Sequence, residues 1–99
     1  MSDREFLPVD PSALHLPGGR SDGVDPMKLH RQMARHGMSV AGMPPLEVSR
    51  GSDGELVIND GVTRASRVAK YLPGTQVIVE VTGTLPVAVG GLPTVRDRL

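Results

Sequence analysis

The chain predicts an α+β fold, a small mixed β-sheet with helices packed on it, and three observations predict it. The run Gln76-Val77-Ile78-Val79-Glu80-Val81 is the most β-prone stretch, and its near-continuous Val and Ile fit a central strand. The pair Asp25-Pro26 starts a helix that Gly37 should stop, because Asp caps, Pro fits the first turn and Gly fits the end. The hydrophobic periods then alternate along the chain: helix, strand, hairpin, strand, helix, strand. That order brings helices onto a sheet rather than segregating them into a bundle.

The elements follow in sequence. Glu5 to Val9 forms a short apolar patch, Phe6-Leu7-Pro8-Val9, that reads as an edge strand. Asp10-Pro11-Ser12-Ala13-Leu14 resembles one helical turn with Asp10 as its cap. Leu16 to Gly23 reads as a loop, punctuated by Pro17, Gly18, Gly19 and Gly23. The first main helix spans Pro26 to His36. Leu29 and Met33 lie four apart, with Gln32 and His36 beside them, so this face should pack inward, leaving Lys28, Arg31 and Arg35 on the wetter faces. Met38 to Pro45 is a connector that Pro44-Pro45 makes extended. Met27, Met33, Met38 and Met43 around this helix read as adaptable core filler.

Leu46-Glu47-Val48-Ser49-Arg50 alternates like a half-buried strand. Gly51-Ser52-Asp53-Gly54 is a hairpin loop, and Glu55 to Ile58 is the returning strand. A second helix is expected over Thr63 to Leu72, closed by Pro73-Gly74. The tail from Thr82 carries Gly83, Pro86, Gly90, Gly91 and Pro93, and reads as a short strand near Val87–Val89 and then a loose end. The whole is one domain over residues 1–99, with its core at about 9–81.

Composition narrows the function classes. With only Phe6 and Tyr71 as aromatics, the core must be built from Val, Leu, Ile, Ala and Met. Lys plus Arg and Asp plus Glu number 11 each, which counts against a strong non-specific grip on DNA but leaves room for a local basic patch. The absence of cysteine removes disulfides, thiolate chemistry and cysteine-ligated zinc. The charged Met1-Ser2-Asp3-Arg4-Glu5 lacks the apolar core of a signal peptide, and no apolar run is long enough to span a bilayer. A cytoplasmic protein with no membrane partner is the expectation.

The most informative stretch is Asn59-Asp60-Gly61-Val62-Thr63-Arg64. It reads as the end of a strand, a tight glycine turn and the start of a helix. Such a junction offers free N–H groups and the positive end of a helix dipole to an anion. Thr63 adds a hydroxyl. Arg64, Arg67 and Lys70 fall three apart and form a basic stripe. Arg64 lies in the first turn, where a cation opposes the dipole, and that placement points to an external anion. The histidines His15, His30 and His36 are scattered and read as surface or helix-end residues.

In order and spacing these landmarks resemble the N-terminal domain of the ParB and sulfiredoxin superfamily, which includes ParB-like nuclease domains. The likeness runs from about Val9 to Val81. Pro17-Gly18-Gly19-Arg20 stands where the family has an arginine-bearing loop, and Leu29 to Gly37 resembles its polar-residue-and-glycine helix end. Met43-Pro44-Pro45-Leu46-Glu47-Val48 resembles the proline-led strand, and Asp53-Gly54 the hairpin turn. Asp60-Gly61-Val62-Thr63-Arg64-Ala65 is similar to the family's box of glycine, two residues and arginine.

The resemblance implies a site for the phosphate of a nucleotide or nucleic acid. Gly61, Thr63 and Arg64 would form the cradle, with further charge from Arg67 and Arg20. Many ParB proteins carry glutamate where this chain has Val62, sulfiredoxins carry cysteine there, and nuclease-like members carry histidine. Valine can neither transfer a proton nor attack phosphorus. If the chain cleaves phosphodiesters, Asp60 and Glu47 are the carboxylates left to do so, with Mg2+ or Mn2+. A nucleoside triphosphate is the other implied ligand. The turn at position 62 is expected to face solvent, where a grafted glutamate would leave the fold undisturbed. The alternative is a non-catalytic module: a nucleotide-binding switch, or a surface that docks a protein partner in a toxin or effector system.

Overall fold

A computed structural model describes residues 3–37 and 39–99, so Met1, Ser2 and Met38 lie outside the described residues. The architecture is a four-stranded mixed sheet with two α-helices. Strands β1 (Glu5–Val9), β2 (Leu46–Arg50), β3 (Leu56–Asp60) and β4 (Val77–Thr84) lie in the order β1-β4-β2-β3. β1 pairs antiparallel with β4, β2 antiparallel with β3, and β2 parallel with β4. The Val- and Ile-rich β4 lies between two neighbours, as its composition requires.

Helix α1 (Pro26–His36) forms as the sequence dictates. The Asp25 carboxylate accepts from the Met27 N–H at 2.9 Å, Pro26 opens the first turn, and Gly37 closes the helix at φ +56° with its N–H on the Met33 carbonyl. Helix α2 (Val62–Tyr71) crosses one face of the sheet. Val62, Ala65 and Val68 join Leu46, Val48, Ile58, Val77 and Val79 in the core. α1 packs on α2 and buries only Leu29. α2 is therefore the middle layer, covered on two sides. Phe6 and Ile78, on the other face of the sheet, stay nearly half exposed. Of the methionines expected as filler, Met27 is exposed, whereas Met33 and Met43 are half-buried.

The tail departs from expectation. β4 continues to Thr84 and Val87–Val89 forms no strand, because the Val87 carbonyl and the Val89 N–H are taken by the Ser52 N–H and the Asp53 carboxylate of the hairpin loop. Nor is the end loose: Val89 and Val95 are buried. Residue 15 bridges β3 on one side, through His15 N–H to Leu56 O and Ile58 N–H to His15 O, and Thr94 on the other. Leu16 N–H donates to Pro93 O, and Val95 N–H to Leu14 O. The outer edge of β3 is thus covered at Val57 by one single-residue bridge, and a second bridge ties residue 15 to Thr94. The segment read as a simple loop holds Leu16 fully buried, and His15 is buried rather than at the surface, with Nδ1 2.8 Å from Leu92 O.

Asp53 fastens the β2–β3 hairpin to this tail. Its carboxylate accepts from the backbone N–H groups of Gly90, Val89 and Glu55, and these bonds, Gly90's foremost, hold its pKa below the ordinary 3.8. Thr94 does the same for Asp97, and Ser12 for Asp10. Each folded value lies below the unfolded one, so their stabilisation is complete above the ordinary carboxylate range and disappears as pH falls through the folded values. The melting temperature should therefore drop as pH is lowered from about 5 to about 2. Asp53→Asn should melt lower at neutral pH and respond less to acid. Parallel acid profiles for the two proteins would contradict the assignment.

Candidate functional site

The strand-turn-helix junction forms, with β3 running to Asp60 and Gly61 serving as the N-cap of α2. Gly61 adopts φ +112°, and a Cβ there would lie 2.5 Å from Leu46 Cδ2, so only glycine fits without displacement. No side chain caps α2, and its first turn contains no acid. The N–H groups of that turn have no intrahelical partner, and the positive end of the dipole is uncompensated. Thr63, half-buried in this turn, faces a groove toward α1.

The three arginines expected to serve this turn behave differently from one another. Arg64 folds back: Nη1 donates to Pro44 O at 3.1 Å and Nη2 to the Asp60 carboxylate at 3.0 Å. Arg67 is 1% exposed, which corrects its expected place on a solvated stripe. Its Nη1 donates to Gly37 O at 3.0 Å and Ser39 O at 2.7 Å, and Nη2 reaches Met43 Sδ. It pins the α1–β2 connector to α2. No carboxylate pairs with it among the described residues, and burial pushes its pKa down. Of the expected stripe, Lys70 alone is exposed, beside the Tyr71 ring. Arg20 lines a separate open hollow with Asp22, Asp25, Lys28 and Arg98.

The free cations near the turn come from α1 instead. Lys28, Arg31 and Arg35 are exposed and have no ion pair among the described residues. With Gln32 and Thr63 they line an open groove of about 230 Å³. Helical period alone puts these three on wet faces and assigns them no role. A signal was nonetheless available: α1 and α2 carry six of the eleven Lys and Arg residues and no Asp or Glu. Outside the two helices three of the five arginines are matched, Arg4 with Glu80, Arg50 with Glu5 and Arg96 with Asp10. A neutral chain is thereby polarised, with a surplus of cations on the helical layer.

Beside this groove lies a smaller hollow of about 70 Å³ between α1, the connector and α2. Gln32 borders both. Two buried side-chain atoms among the described residues lack hydrogen-bond partners, Gln32 Oε1 and Arg67 Nε, and both residues line this hollow.

The two candidate carboxylates, Asp60 and Glu47, line neither the groove nor the hollow. Glu47 is exposed on β2, in register with Asp60 on β3 and Glu80 on β4. Asp60 is tied to Arg64, and Glu80 to Arg4. No group of three or more His, Asp or Glu converges to hold a metal ion among the described residues. Val62 is 6% exposed and points into the core, which corrects the expectation of an open turn at that position.

No family model, curated protein or solved structure matches this chain. Among the described residues, no helix is long and apolar enough to cross a membrane.

Proposed function

We propose that the helical layer binds the phosphates of a nucleotide or nucleic acid, as a ParB-like module that works by binding rather than cleavage. The observation that carries this reading is the groove where three unpaired cations, Lys28, Arg31 and Arg35, face Thr63 and the uncapped start of α2. Exposed Lys and Arg give phosphate its long-range attraction, and helix N–H groups give it directional donors. The landmark residues from Gly18 to Arg64 point to the same chemistry by resemblance. Arg64 holds Asp60 and Pro44 in place around the turn and leaves the ligand to α1. With valine turned inward at position 62, no side chain there serves nucleotide hydrolysis.

Salt dependence tests the reading. Each phosphate that a cation neutralises steepens the fall of log K with log salt by about 0.7–0.9. A Lys28→Ala, Arg31→Ala, Arg35→Ala triple variant changes only exposed side chains, so its fold should survive. It should bind a single-stranded oligonucleotide more weakly, with a slope shallower by about 2–3. Identical affinity and slope in the two proteins would remove α1 from the interface and the proposal with it.

A further inference from the structure

The sheet has two outer edges, and the fold treats them differently. β3 is covered at Val57 by residue 15. β1 has no strand beyond it, and among the described residues no backbone hydrogen bond outside the sheet involves Glu5 to Val9. Pro8 fixes which groups face that open side. A residue without an N–H cannot exchange two bonds, so Pro8–Ile78 is a non-bonded pair of the antiparallel ladder. Such pairs alternate along the strand, so Phe6–Glu80 is another. The N–H and C=O of Phe6 and the C=O of Pro8 therefore point away from β4.

An open strand edge templates another strand unless free charges, a bulge or proline guard it. Here both charged residues are engaged inward. Arg4 donates to the Glu80 carboxylate at 2.8 and 3.0 Å, and Glu5 accepts from Arg50 at 2.6 and 3.1 Å. β1 pairs with β4 without a register shift, so no bulge turns it away. Beside the edge, Phe6, Pro8 and Ile78 are exposed on the uncovered face of the sheet.

Pro8 guards only against a partner that needs its N–H. A second copy of β1, antiparallel and centred on Phe6, does not. The two Phe6 residues exchange N–H···O=C bonds, and the Pro8 carbonyl of each copy meets the Arg4 N–H of the other. Glu5 falls opposite Leu7, and no like charges meet. Centring on Leu7 instead would set each Phe6 carbonyl against Pro8, which has no donor. The Phe6 centre also joins the two exposed rings in a cross-strand aromatic pair.

We infer that β1 is a self-association edge, through which two copies of this chain join their four-stranded sheets, strand to antiparallel strand, about Phe6. The contact uses the same residues on both copies, so it closes as a dimer. It engages fewer than the about 20–30 residues a side of a standard interface, so dimer and monomer should exchange at about micromolar concentrations. None of the groove residues lies on β1, and the inference stands apart from the phosphate reading.

Sedimentation of the full chain over a concentration series in the micromolar range tests it. The wild-type protein should pass from monomer to dimer. Phe6→Lys and Phe6→Glu change an exposed side chain and should keep the wild-type melting transition. Each loses the aromatic pair and sets like charges face to face, so each should dimerise at least about tenfold more weakly. Mixed in equal amounts, the two variants should form a mixed dimer, because residue 6 meets its own copy only at the centre of symmetry. A wild-type protein that stays monomeric throughout would overturn the inference. A dimer that survives in both variants would lie on another surface and would equally overturn it, as would variants that stay monomeric when mixed.

Discussion

Val62→Glu should abolish cooperative folding. Val62 packs with Leu46, Val48 and Ala65, and the helix that carries it is clamped between sheet and α1. A carboxylate placed there meets apolar carbon on the sheet side. Burying an unpaired charge costs several kcal/mol even after relaxation, against a total stability of about 5–15 kcal/mol for a small domain. Val62→Ala is the control: it leaves a cavity and should cost about 1–3 kcal/mol while keeping a sharp transition. Circular dichroism melting of the three proteins decides the matter. A Val62→Glu protein that melts like wild type would return position 62 to an open turn, and would make glutamate there a workable catalytic graft.

The second large effect is expected at Arg67. Arg67→Ala withdraws the donor from the Gly37 and Ser39 carbonyls and empties the space of a long side chain between α1, the connector and α2. Each buried acceptor left unpaired costs about 1–3 kcal/mol, so a loss of about 3–5 kcal/mol in urea unfolding is expected. One effect opposes it, because the variant also relieves a guanidinium held without a counter-ion. Arg67→Lys should recover only part of the loss, since an ammonium on a four-carbon stem lacks the planar fork. A loss below about 0.5 kcal/mol, the range of ordinary surface changes, would mean that solvent serves those carbonyls and that Arg67 does not hold the connector.

Both effects centre on α2, and it is there that sequence and structure part. The local signals were legible because they act over a few residues. Asp25-Pro26 and Gly37 bound a helix through caps that need no distant partner. Asp10 caps a 3₁₀ turn over Pro11–Ala13 in the same way. Gly54 at φ +83° turns the hairpin, and Gly61 at φ +112° supplies the N-cap that the strand-turn-helix pattern requires. The α+β class and a Val-rich strand with neighbours on both sides followed from composition and period. The surplus of cations over α1 and α2 was also present in the sequence, although the overall balance of 11 and 11 masked it.

What the sequence by itself determined, then, is where the two helices and the β2–β3 hairpin lie, which class the elements make and that a glycine-led helix start follows β3. Only the tertiary structure decided which side of each element meets what. A helix covered on one side buries one stripe, which its period reveals. α2 is covered on two, so Val62 turns to the sheet and Arg67 to the connector, while its neighbour Arg64 returns to Asp60. The tail escapes local reading for a related reason: its bridges join residues far apart in the chain, such as His15 and Thr94, and no local pattern encodes them. The candidate site follows the same logic. Its helix start is local and could be read, whereas Lys28, Arg31, Gln32 and Arg35 reach it only because α1 packs against α2.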